Sequence, residues 1–150
     1  MSEVFAGSKD DVGRSAIDYF TWGHIAMGVA IFLLLSLINT IPSYIDNALV
    51  YIIPYILMLF ISFLIGVVWE ILENTLFVGI GIKFEGRRDS FVNALWDVIF
   101  VCIGALIIWI IKGLMVNLIG PHLIPAFYIV GIVIFVVSVL GFVIGRAITK

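Results

Sequence analysis

Four stretches of this 150-residue chain, near 19–39, 50–78, 90–112 and 125–147, are apolar over the roughly 20 residues that a helix needs to cross about 30 Å of hydrocarbon. That pattern predicts an all-α fold: a polytopic integral membrane protein, a bundle of about four transmembrane helices. Composition agrees, since the chain is 63% hydrophobic and 12% charged, against about 25% charged in soluble domains. The mean hydropathy is +1.27. One transmembrane domain, 1–150, is expected, because several spans leave no room for a separate soluble module. The expected location is the cell membrane, with the lipid bilayer as the first partner. No basic run and no long loop offers a surface to nucleic acid, which is set aside.

Breaker residues divide the spans. Asn39, Pro42, Ser43, Asp46 and Asn47 mark a first turn, Gly79, Gly81, Lys83, Glu85, Gly86, Arg87 and Arg88 a second, and Gly120, Pro121, His122 and Pro125 a third. Pro54 is expected to begin or kink the second helix. Seven of the eight Lys and Arg residues then fall on one side, with Lys112 alone on the other. By the positive-inside bias both termini are predicted to be cytoplasmic. The polar start of the chain lacks the basic, short apolar pattern of a cleaved signal peptide, so the first span is expected to be retained. Cys102 lies in an apolar run and reads as a small packing residue. Gly131, Ser138, Gly141 and Gly145 form a small-residue face on the fourth span, suited to close helix packing or to a homo-oligomer.

Three segments break the apolar rule: DYFTWGHIAMG, GVVWEILENTLF and GRRDSFVNALWDVIF. Ionisable groups in membrane helices cost a few kcal/mol each, so they point to paired or functional sites. Glu70 and Glu73 lie three residues apart, with Asn74 four after Glu70, so they share a side of the second helix. Asp89, Asn93 and Asp97 recur every four residues and line one stripe of the third. Asp97 is about 12 Å deeper than Asp89 in a regular helix, a depth comparable to that of Glu70, which suggests that the two acids meet. On the first helix His24 lies about 9 Å inward of Asp18, within reach of a carboxylate.

Carboxylates gathered in this way need either a cation or retained protons. The candidate metal ligands are Glu70, Glu73, Asp89, Asn93 and Asp97, an oxygen-rich set suited to Mg²⁺, Mn²⁺ or Ca²⁺, which His24 would widen toward transition metals. Glu70, Asp97 and His24 are the candidates for chemistry. Arg87, Arg88 and Asn74 are candidates for holding a substrate, the arginines by pairing with phosphate oxygens. A plainer reading stands beside each. Asn74 and Asn93 can bond across helices as packing residues, Asp18 and Asp89 can cap helix N-termini, and Glu70 can pair with Arg87 or Arg88. His24 reads equally as an interior hydrogen-bonded residue. The tryptophans read as interfacial or packing residues.

The succession WEILEN, GRRDSFVNALWD and an apolar run resembles the VanZ-like group of small membrane proteins and related uncharacterised bacterial membrane families. The matching positions are Glu70, Glu73, Arg87 or Arg88, Asp89 and Asn93. The chain differs in having Trp96 where many members place Gly, followed by Asp97. The resemblance implies a shared polar site and, for the named member, a role in glycopeptide tolerance or the cell envelope. More distantly, Asp89, Asn93 and Asp97 resemble the metal-binding acids of membrane phosphatidyl-alcohol transferases, without their D-x-x-D-G signature. This implies a precedent for divalent metal held on cytoplasm-facing helix ends.

Three functions are compatible with these residues. One is divalent-metal-dependent chemistry on, or binding of, a lipid-phosphate or other amphiphilic molecule at a cytoplasm-facing site. The others are a proton- or cation-coupled transporter, and an assembly protein whose polar groups only lock its helices.

Overall fold

Helix α1, Phe20–Ile45, is long because its polar residues satisfy themselves along the helix. The hydroxyls of Ser36, Thr40 and Ser43 donate to the carbonyls of Phe32, Ser36 and Asn39, four residues back. The computed structural model describes residues 4–83 and 86–149, so Glu85 of the second expected turn and Lys150 of the charge bias lie outside the described residues. Helix α2, Tyr55–Leu72, starts after Pro54 and continues as a wider π-helical turn, Glu73–Phe77. Helix α3, Phe91–Lys112, continues in the same way through Gly113–Ile119, and α4 spans Ile124–Ile148. All four are long and apolar enough to cross a membrane.

Two boundaries differ from the sequence expectation. The first turn does not begin at Asn39: α1 runs through Asn39, Pro42 and Ser43 to Ile45. Asn39 is spent on the following segment, its Oδ1 accepting from Ile52 and Ile53 N–H at 2.9 Å and its Nδ2 donating to Ile53 O at 2.6 Å. A side chain expected to end the helix instead pins the approach to α2, and 50–54 is not helical. The third helical run continues seven residues past Lys112, to Ile119. Lys112 can sit there because its ammonium lies 3.6 Å from the centre of the Tyr55 ring and 2.5 Å from Asn117 Oδ1, a cation–π contact that offsets part of its burial.

Helix α1 is central and touches the other three, whereas among the described residues no Cα of α2 comes within 8 Å of a Cα of α4. The α1–α3 crossing is the closest. A Cβ on Gly28 would collide with the Val101 carbonyl, and one on Gly104 with the Ile25 carbonyl, so only glycine permits this approach. The small face of α4 packs on α1, Gly131 against Leu33, Gly141 against the Trp22 ring and Gly145 against Tyr19. That face is filled within the chain. Below it Val29, Phe32, Met58, Ala105, Ile108 and Phe127 form the buried apolar core.

The segment before α1 folds over the α1–α3 end. Arg87 donates to the carbonyls of Asp10 and Val12 at 2.8 and 2.9 Å. Ser90 Oγ donates to Arg14 O, and Ser90 N to Gly13 O. Gly13 makes the turn at φ +73°, where a side chain would strain the backbone. At this surface the Asp11 carboxyl is held below its usual range, chiefly by the Ser8 hydroxyl.

Candidate functional site

The ends of α1, α2 and α3 that carry the acids come together around His24. Its Nδ1 lies 3.7 Å from Glu70 Oε1 on α2 and its Nε2 3.6 Å from Asp97 Oδ2 on α3. Depth along the helices brings Glu70 and Asp97 to the same level, as the spacing implied, with the imidazole between them. All three side chains are buried, at 7, 7 and 2% exposure for His24, Glu70 and Asp97. Both separations exceed hydrogen-bonding distance. His24 Nδ1, Glu70 Oε1 and Asp97 Oδ1 have no hydrogen-bond partner among the described residues. Buried polar atoms left in this way cost about 1–3 kcal/mol each, and native proteins keep few of them.

Ligand atoms of His24, Glu70 and Glu73 lie within 4.8 Å of one another. Two ligands each about 2.1 Å from an ion stand roughly 3–4 Å apart, so the His24–Glu70 separation suits a shared cation. Glu70 is prepared for this by Asn74, whose Nδ2 donates to Glu70 Oε2 at 3.2 Å and leaves Oε1 toward His24. Trp69 near the end of α2, and Glu73 and Phe77 at the two ends of the π-helical turn, line one cleft. Trp69 Nε1 donates to Glu73 Oε2 at 3.0 Å.

The cation at this site is one that sequence reasoning assigned only to a turn. Lys83 is buried and bonds to Asn74 Oδ1 at 3.0 Å, pairs with Asp89, and lies 3.7 Å from Glu73 Oε1. Gly81 and Gly86, both at positive φ, flank Lys83 in the α2–α3 connection. Glycines bracketing a lone lysine were the available signal. Arg87 is instead engaged with the N-terminal segment, and Arg88 is exposed.

The remaining candidates divide between the site and its supports. Asp89 holds Lys83, and its backbone N–H donates to Asn74 Oδ1 at 2.7 Å, while the capping side chain of α3 is Ser90. Asn74 thus has its polar atoms engaged by Glu70, Lys83 and Asp89. Asn93 lies away from Glu70, donating to Ser15 O at 2.9 Å and toward Asp18 Oδ2 at 3.4 Å. Asp18 accepts from Gly13 and Phe20 N–H. Burial pushes the Asp18 carboxyl up, against the pull of those two N–H groups, and the charge on Asp89 adds to the rise.

A cleft of about 420 Å³ adjoins the cluster. Gly23, His24 and Met27 of α1 line it with Trp69 and Phe77 of α2 and Phe142 of α4, and Glu73 and Lys83 supply further polar groups. Among the described residues four carboxyl groups, of Glu70, Glu73, Asp89 and Asp97, thus face one lysine and one imidazole, an imbalance that a bound cation or retained protons would offset. No family model matches the chain, and no curated protein or solved structure matches it.

Proposed function

We propose that this chain is a multi-pass protein of the cell membrane, with both termini cytoplasmic, that holds a divalent cation on His24, Glu70 and Glu73 and uses it to engage a phosphate-bearing ligand. The carrying observation is the set of buried, unpartnered atoms on His24 and Glu70, separated by a distance that one ion can bridge. A mixed nitrogen and oxygen donor set suits Mn²⁺ and still admits Mg²⁺ or Ca²⁺ through the carboxylates. The cation would polarise a phosphate oxygen, with Lys83 supplying a second positive charge. Asp97, on the far nitrogen of His24, would orient the imidazole as carboxylates commonly do behind a metal-bound histidine. The VanZ-like resemblance belongs to this reading through Glu70, Glu73 and Asp89.

The test is the thermal stability of the full chain in detergent, chelator-treated and then supplied with Mn²⁺, Mg²⁺ or Ca²⁺. Stabilisation by one of these ions that disappears in Glu70→Ala supports the reading. Identical melting with and without metal would remove it.

Proton-coupled transport is a second reading, favoured by one observation: His24 faces a carboxylate with each ring nitrogen. Beyond Asp97 the α1–α3 crossing is closed by Gly28, Gly104 and fully buried Val101, which argues against a continuous path through one copy. Proton flux in liposomes that Asp97→Asn abolishes would favour transport.

A further inference from the structure

We propose that the ligand is a membrane lipid with a phosphate-bearing head, and that it reaches His24 sideways from the bilayer through the gap between α2 and α4. This deepens the cation reading, on which the identity of the head group rests, while the route rests on the shape of the molecule.

The α3 side of His24 is shut. Asp97 is buried there, and the segment before α1 is fastened over that end by Arg87, Ser90 and Asn93. Among the described residues the opposite side is open. Helices α2 and α4 both pack on α1, yet among the described residues no Cα of one comes within 8 Å of a Cα of the other, and residues of both line the cleft. It offers two kinds of surface. Met27, Phe77 and Phe142 present hydrocarbon and aromatic surface, whereas His24, Glu73 and Lys83 gather the polar groups. A soluble phosphate would leave the apolar part unused, while a lipid fills both, with head at the cation and Lys83 and tail between the helices.

Gly23 keeps the floor of that cleft low. A Cβ there would lie 3.9 Å from the Phe142 ring, an ordinary contact, so the helix does not require glycine for its own packing at this position. This differs from Gly28 and Gly104, which the α1–α3 crossing does require. Alanine at position 23 fits, and a branched side chain would occupy the space assigned to the tail.

The experiment is native mass spectrometry of the full chain in detergent, titrated with phosphatidic acid, with inorganic phosphate as the soluble competitor and metal content measured on the same samples. Wild type and Gly23→Ala are expected to retain phosphatidic acid. Gly23→Leu should weaken it roughly tenfold or more, the loss that follows from unburying about two methylene groups, with metal content unchanged. If Gly23→Leu does not fold, Met27→Trp fills the same cleft from one turn further along and carries the same expectation. Equal lipid retention in wild type and the filled variant overturns the proposal, as does competition by inorganic phosphate at concentrations comparable to the lipid. Loss of lipid in the filled variant from a chain that binds no metal would uphold the lateral cleft and overturn the cation. Metal bound to a chain that retains no lipid would do the reverse.

Discussion

The imidazole of His24 stands 3.6 Å from Asp97 Oδ2 across the closest helix crossing in the molecule, with both side chains buried. His24 stands between Asp97 and Glu70, meeting each with a different ring nitrogen. In the proposed site Asp97 therefore acts on the cation at one remove. Asp97→Asn should lower divalent-metal affinity by about 10- to 100-fold, the usual effect of losing an outer-shell carboxylate, whereas Glu70→Ala should abolish binding. Isothermal titration with Mn²⁺ separates the two. Equal loss in both variants would place Asp97 among the direct ligands.

The crossing itself depends on Gly28 and Gly104. Leucine at either position forces the helices apart and should cost about 1–3 kcal/mol or more, read as a fall in thermal stability. Gly23→Ala should change it little, because its Cβ meets nothing closer than 3.9 Å. A stable Gly28→Leu variant would contradict the packing described.

Arg87 and Lys83 are expected to fail differently. Arg87→Ala frees the segment before α1 from its carbonyl contacts at Asp10 and Val12, so proteolysis within residues 4–19 should speed up while metal binding stays. Lys83→Ala removes the partner shared by Glu73, Asn74 and Asp89 and should weaken retention of a phosphate-bearing ligand. Limited proteolysis and ligand titration on the same two variants distinguish the roles.

Asp18 sets a pH dependence outside the spans. Burial holds its proton to higher pH in the folded chain than in the unfolded one, where an aspartate titrates near 3.9. The folded state then binds more protons in that interval, so stability falls as pH rises from the unfolded value to the raised folded one, and levels off above it. Asp18→Asn removes this slope. In melting experiments run upward from about pH 4, any stability advantage of wild type over the variant should narrow with rising pH. A widening gap would show the opposite sign.

The four long helices were legible because about 20 apolar residues in a row have few other uses. The fourth, expected at 125–147, runs from Ile124 to Ile148. The stop at Asn39 was misread because a polar side chain that bonds across to Ile52 and Ile53 looks, in sequence, like one that ends a helix. Within the site, helical spacing placed Glu70 and Asp97 at matching depth, and His24 within reach of a carboxylate. What spacing could not supply was the fold of the α2–α3 connection. Arg87 and Arg88, adjacent to Asp89, were the obvious cations, yet Lys83, flanked by Gly81 and Gly86, is the buried one instead. Asn93 shares a stripe with Asp97, but the segment before α1 claims it through Ser15 O, a long-range contact that no local pattern encodes.

Whether His24 binds a metal is tested most directly by electron spin-echo spectroscopy of the Mn²⁺-loaded full chain. The expected spectrum carries modulation from one imidazole nitrogen, absent in His24→Ala and retained in Arg87→Ala. A Mn²⁺ signal without nitrogen coupling, or a chain that takes up no Mn²⁺ at all, would contradict the cation site.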